Sequence, residues 1–374
     1  MNIKRGSTAD DNDNMSINYE NKNKIKQIYF KNNESKRLFE INFTRACCCI
    51  GIIIFHYFCH ATKPQIKFLY FSSNAVYGFL YVTVFFSISG IVLFNRYSKI
   101  KSLKSFYFRR WKSIFPPFYL CYLYFFIKIA FYSKEKNFIF KCHLSNYIFT
   151  FLGIDGYFFY KYCTYYIIGE WFLGAIIIIY VLYPILIWTM KKKIYTIIIF
   201  ILIIIGYILI IFTNYFQIPN HENLNVCLVS FFFGIITLKY KQYFFDNKFI
   251  GIASIVLLEL LCFIKISKNI IIRQIQGFSL LISLIHVGKY IMNTKIKSIF
   301  TFISKHSFNI YLFHHPIIID VQKIFKNGNL YTILLSIILI IIISLIHSKK
   351  LSFILNYIYK SNLFIKIELA FLAH

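Results

Sequence analysis

The sequence predicts an all-α, polytopic integral membrane protein of about ten transmembrane helices, with both termini in the cytoplasm. Three observations carry that prediction. Hydrophobic residues make up 58% of the 374 and charged residues only 15%, against about 25% charged in a soluble domain. So few polar residues could not cover an ordinary soluble enzyme of this composition. The apolar residues fall in runs such as 175–188, 194–212 and 331–346, several of which reach the ~18–20 residues a spanning helix needs. The basic residues lie between the runs and are densest in alternate connections. The same composition excludes a disordered chain, a coiled coil, a collagen and a disulfide-dense secreted domain.

Residues 1–40 are polar and rich in Asn and Lys. They lack the short basic region and apolar core of a signal peptide and are expected to form a disordered cytoplasmic tail. The membrane domain is expected over 41–349. Its apolar segments are 41–60, 75–94, 114–133, 167–189, 194–213, 225–239, 249–264, 274–292, 306–322 and 331–347. The connection after the second segment carries Arg96, Lys99, Lys101, Lys104, Arg109, Arg110 and Lys112. Lys191–Lys193 follow the fourth segment, Lys295, Lys297 and Lys305 the eighth, and Lys349 and Lys350 the tenth. All four groups fall on one side when both termini are cytoplasmic, as the positive-inside rule requires. Residues 133–167 are too apolar for a free loop and are expected to fold back onto the outer face. Residues 350–374 alternate apolar and basic positions and are expected as an amphipathic cytoplasmic segment. No internal repeat and no appended soluble domain is evident.

The net charge of +28 suits a partner of anionic lipid headgroups, and without a basic stripe on a soluble domain it argues against nucleic acid. The abundance of Ile, Lys, Asn, Phe and Tyr is that of an AT-rich genome, which accounts for part of the charge without function. The nine cysteines follow no metal-binding spacing, and Cys47–Cys49 read as small apolar residues in a helix. An odd count argues against a complete disulfide framework. Cys142 and Cys163 pair only if their segment faces an oxidising compartment.

Polar residues inside the apolar segments are the candidates for chemistry, because each is expensive against lipid. Arg45 and His56 are eleven residues apart in the first segment. That spacing is three helical turns plus about 20°, so the two share one face about 16 Å apart. Arg45 either serves an internal site or snorkels to headgroups; His56 is either functional or a satisfied interior group. Ser87, Ser89 and Gly90 allow close helix approach. Arg109, Arg110 and Lys112 precede Pro116 and Pro117. They read as a topology signal or as an anion clamp, since paired guanidinium groups suit phosphate. Glu170, beside the interfacial Trp171, is one of few acids available to orient an imidazole. The ninth segment holds Asn309, Tyr311, His314 and His315; no metal is expected, because the sequence does not clearly offer enough ligands.

Taken in order, these stretches resemble the acyltransferase family 3 membrane proteins, which acylate cell-surface polysaccharides and related acceptors. The resemblance runs from about Phe39 to Ile346. It rests on Arg45-x10-His56, the FFSISG stretch ending at Gly90, the Arg109-Arg110…Pro116 loop, the EWFLGAIIIIYVLYP segment and SFNIYLFHHP. It implies that Arg45 and His56 are the functional pair, that Arg109 and Arg110 serve the acyl-CoA side, and that His314 belongs to a matching motif with Tyr311 and Leu312. The chain departs from many members at Ser113, where they have an Arg, and at Ala175 and Ile176, where they carry a Glu after the Trp; here Glu170 precedes Trp171.

The expected activity is transfer of an acyl group, acetyl first among candidates, from cytoplasmic acyl-CoA to a hydroxyl of an envelope polysaccharide or lipid-linked glycan. His56 would act as general base, with Arg45, Glu170 and His314 in the catalytic set and Arg45, Arg109 and Arg110 on the donor. Asn309, Tyr311 and His314 are possible donors to the oxyanion. A covalent acyl-histidine route stays open. The resemblance and the AT-rich bias imply a bacterial inner membrane. The rival readings are a transporter or flippase for a lipid-linked glycan, for which inverted repeats would be evidence, and a sensor with a degenerate site.

Overall fold

The computed structural model describes residues 38–60, 76–132, 142–169, 171–213, 218–263, 269–291, 293–325 and 330–372. The expected N-terminal tail lies outside the described residues apart from its last three. Each regular element is a helix, and no strand occurs among the described residues. In chain order the helices are α1 (Phe39–His60), α2 (Val76–Tyr97), α3 (Leu103–Tyr132), α4 (Tyr147–Phe151), α5 (Asp155–Phe158), α6 (Trp171–Thr189) and α7 (Lys193–Phe212). They continue with α8 (Leu224–Lys239), α9 (Lys241–Phe244), α10 (Lys248–Phe263), α11 (Ile270–Tyr290), α12 (Thr294–Ile324), α13 (Leu330–Lys360) and α14 (Asn362–Leu372).

Each of the ten apolar segments falls on one of these helices. Among the described residues seven helices are long and apolar enough to cross a membrane: α1, α2, α3, α6, α7, α11 and α13. The other three differ for visible reasons. Helices α8 and α10 have 16 residues each, about 24 Å of rise against a hydrocarbon core of about 30 Å. Helix α12 is long, but Lys295, Lys297, Lys305, Asp320 and Lys323 interrupt its apolar character. Helix α13 does not stop at Lys350 as the charge pattern suggested; it continues to Lys360 before α14 begins.

Helix α7 shows why the molecule needs a lipid solvent. It is apolar around its circumference, and only 11% of its most apolar window is buried. Ile197, Ile198, Phe200, Ile201 and Leu202 all lie on the surface. A soluble monomer does not expose so much contiguous apolar area.

Helix α1 sits inside the bundle and runs parallel to α12. The Ser304 hydroxyl donates to Asn42 Oδ1 at 3.2 Å, Phe43 lies 4.6 Å from Phe300 between ring centres, and Gln322 donates to the Tyr57 carbonyl at 2.6 Å. Helices α2 and α8 cross with their backbones in contact. A Cβ on Gly90 would lie 2.1 Å from the Phe231 carbonyl oxygen, and one on Gly234 1.9 Å from the Ser87 carbonyl oxygen. The Ser87 hydroxyl donates across this crossing to the Ser230 carbonyl at 2.8 Å. The close approach expected of Ser87 and Gly90 is therefore a backbone-to-backbone crossing, which only glycine permits.

Prolines inside helices leave a carbonyl four residues earlier without its usual donor. Two of these carbonyls have side-chain partners. Pro116 leaves that of Lys112, which accepts from the Tyr359 hydroxyl at 2.7 Å. Pro316 leaves that of Leu312, which accepts from the Cys121 thiol at 3.5 Å. The second pair ties α3 to α12 next to His314 and His315.

The segment between α3 and α6 folds onto the bundle, as its apolar character predicted. Tyr165 and Ile168 are buried, and Tyr122 of α3 donates to the Tyr165 carbonyl at 2.7 Å. Cys142 and Cys163 form a disulfide, the pairing that the sequence made conditional on an oxidising compartment. The other seven cysteines are in no disulfide. Tyr157 ties the segment to α8, its hydroxyl accepting from the Leu224 amide at 2.8 Å.

Candidate functional site

Helices α1, α2, α3, α6 and α12 and the segment before α6 enclose a cavity of about 380 Å³. Its two ends differ in chemistry. Arg45 from α1, Arg110 from α3 and Lys305 from α12 line one end. His56 from α1 and His314 and His315 from α12 line the other, beside Tyr166, Gly169 and Trp171. Because α1 and α12 run parallel, the eleven residues from Arg45 to His56 and the ten from Lys305 to His315 measure the same distance, about 15–16 Å. Ile52, Val82, Phe85, Phe172 and Ile176 form the apolar walls between.

The cationic end is built on aromatic rings. The Arg110 guanidinium lies 5.3 Å from the Tyr97 ring centre and 5.8 Å from that of Tyr180, and donates to the Tyr97 hydroxyl at 3.5 Å. Its Nε is buried and has no hydrogen-bond partner. Lys112, its neighbour in sequence, is turned to a different task. It pairs with Glu368 of α14 at 2.8 Å and lies over the rings of Tyr359 and Phe364. Arg109 does not line the cavity.

The histidine end is ordered by helix geometry. His314 is buried, and its Nδ1 lies 2.5 Å from the Tyr311 carbonyl oxygen one turn earlier. A carbonyl only accepts, so Nδ1 carries the proton, and in the neutral ring Nε2 holds a lone pair. That Nε2 is buried without a partner. The His56 ring centre lies 5.1 Å from that of His314 and 5.4 Å from that of His315. His60, one turn beyond His56 on α1, places its Nε2 2.9 Å from Nε2 of His315.

The structure thus brings Arg45, His56, Arg110 and His314 to one cavity and leaves Arg109 outside it. Glu170 lies outside the described residues. The three oxyanion donors expected from sequence are otherwise engaged. Asn309 donates to the Ser348 carbonyl and the Ser352 hydroxyl of α13 and does not line the cavity. Tyr311 lines it, but its hydroxyl donates to the Gly169 carbonyl at 2.7 Å. The His314 N–H is held by its own helix. Sequence reasoning missed Lys305 in the cavity and His60 just outside it, against His315. The signal for His60 was its i, i+4 relation to His56, which places both on one helix face; Lys305 was read only as a topology charge.

No curated protein and no solved structure matches the chain. A family model described as an acyltransferase domain, that of acyltransferase family 3, matches residues 38–349. That stretch contains every helix from α1 to α12 and all the cavity-lining residues named above, and the chain belongs to this family of membrane acyltransferases.

Proposed function

We propose that the protein is an O-acyltransferase of a bacterial inner membrane, moving an acyl group, acetyl first, from cytoplasmic acyl-CoA to a hydroxyl of an envelope polysaccharide or lipid-linked glycan. One observation carries the reading. The two orphaned polar atoms of the cavity, Arg110 Nε and His314 Nε2, lie at its opposite ends. One is a cationic donor that wants an anion, the other a lone pair that wants a proton donor. An acyl-CoA phosphate meets the first need beside Arg45 and Lys305, and the acceptor sugar meets the second.

Two independent features support the orientation. The basic connections after α2, α6 and α11 lie at the cationic end of the bundle, the end the positive-inside rule assigns to the cytoplasm. The Cys142–Cys163 disulfide lies in the segment that walls the opposite end, which suits an oxidising exterior. The donor then enters from the cytoplasm and its thioester reaches about halfway across the membrane.

In the reaction, His56 takes the proton of the attacking hydroxyl. The hydroxyl oxygen forms a bond to the acyl carbon, the thioester C–S bond breaks, and the departing thiolate receives the proton from His56. His314 Nε2 accepts a hydrogen bond from a second hydroxyl of the sugar and holds it in place. The apolar walls exclude water, which would otherwise hydrolyse the thioester.

The test is incorporation of labelled acetyl from acetyl-CoA into envelope glycan by membranes bearing the native protein or His56→Ala at matched expression. Label in the native sample that is absent from the variant is the expected result. Equal label in both removes His56 from the chemistry, and no label in either, with acceptor present, overturns the acetyl-CoA reading.

A further inference from the structure

We propose that His56, His60 and His315 form a three-imidazole site for a divalent transition metal of the zinc class, and that filling it shuts off acyl transfer. The second half rests on the reading of His56 as general base; the first does not. The ligand nitrogens of these three residues all lie within 4.8 Å of one another. Two come from one face of α1 at i, i+4, a spacing that sets ligands side by side on a helix, and the third comes from the parallel helix α12.

The His60–His315 contact is the second observation. Two imidazole Nε2 atoms 2.9 Å apart cannot both present lone pairs to each other, so the space between them demands a proton or a cation. In a tetrahedral zinc site the nitrogens stand about 3.3 Å apart, from Zn–N bonds of about 2.0–2.1 Å. The His60–His315 separation is 2.9 Å and none in the set exceeds 4.8 Å, so small rotations of the rings assemble the site. The chemistry of the set selects the ion. Three neutral nitrogens and no carboxylate in the cluster disfavour calcium and magnesium, which take oxygen ligands, and favour zinc or copper. His60 is exposed at the end of α1, which gives the ion a route in.

The consequence follows from one lone pair having one use. A His56 nitrogen that binds zinc cannot take a proton from the acceptor hydroxyl. His60 does not line the cavity, so it serves the metal without serving the transfer.

The experiment uses purified full-length protein in detergent, stripped of metal and titrated with zinc against a chromophoric chelator. One zinc per chain is expected, with affinity falling by about 100-fold or more in His60→Ala and in His315→Ala, since losing a ligand costs at least as much as losing an outer partner. Magnesium at large excess should not compete. Acyl transfer by the native protein should fall on adding zinc and return with a chelator, while His60→Ala keeps its basal rate and resists zinc. His60→Gln, with a thermal-unfolding profile for each variant, separates ligand loss from misfolding. Absence of stoichiometric zinc in the native protein overturns the site, as does binding indifferent to both substitutions. Binding without inhibition overturns the switch and keeps the site. A native protein that binds zinc but transfers no acyl group counts against the proposed function and for the metal site.

Discussion

The imidazole of His314 lies 5.1 Å from that of His56, ring centre to ring centre, although 258 positions separate the two in sequence. Only one of the pair has its tautomer fixed by the main chain. His314 gives its N–H to the Tyr311 carbonyl and is left as an acceptor. We therefore expect the two to fail differently. His56→Ala should lower kcat by about 100-fold to 10,000-fold, the range for losing a general base. His314→Ala should act mainly on the acceptor KM, by about tenfold, because one substrate hydrogen bond is lost. Steady-state kinetics with varied acceptor measures both, and a kcat loss of equal size in each variant would defeat the division of roles.

Arg109 and Arg110 are adjacent in sequence and unequal in place. Arg110 lines the cavity with an unpaired Nε, and Arg109 does not line it. A hydrogen bond to a charged group is worth about 1.5–3 kcal/mol. Arg110→Gln should thus raise the KM for acyl-CoA by about tenfold or more, and Arg109→Gln should leave it nearly unchanged. Binding of a non-hydrolysable acyl-CoA analogue gives the same comparison without turnover. Equal losses in both variants would return the pair to the joint clamp that the sequence suggested.

Much of this was legible before any coordinates. The ten apolar segments needed only hydropathy and length, and the Arg45–His56 face needed only 3.6 residues per turn. What sequence hides is where long-range partners spend their hydrogen bonds. Asn309 and Tyr311 look like donors in a polar helix, yet α13 takes the first and Gly169 the second. Lys112 looks like a third phosphate ligand until Glu368, over 250 residues later, claims it. Span counting turns on helix length as well as hydropathy. Helices α8 and α10 are apolar but have only 16 residues each, and of the two it is α8 that is held in a close crossing, Gly234 on Ser87.

The α2–α8 crossing should tolerate no added carbon. Ala gains about 1 kcal/mol over Gly in a helix interior, yet a methyl group 2.1 Å from a carbonyl oxygen forces the helices apart. Overpacking of this kind costs about 1–3 kcal/mol and sometimes more. Gly90→Ala and Gly234→Ala should each lower the unfolding midpoint in detergent by several degrees, and the double variant should lose less than the sum, since one displacement relieves both clashes. A midpoint raised by either change would mean that the crossing is looser than it stands here.

Asp155 supplies a pH dependence on the segment that walls the histidine end. It is fully buried. Burial pushes its pKa from 3.8 up to about 6, with the nearby Thr150 hydroxyl and Tyr165 amide drawing it partway back. Between those values the folded chain holds the proton and the unfolded chain has lost it, so stability falls as pH rises through this window. Below about 4 both states are protonated and above about 6 both are charged, and the effect levels off. The shift of about two units corresponds to about 3 kcal/mol. Asp155→Asn keeps the shape and removes the charge. Its advantage in unfolding midpoint over the native protein should therefore grow from pH 4 to pH 6.5 and then stay constant. A difference that does not change across that range would show that Asp155 is charged in the folded protein throughout.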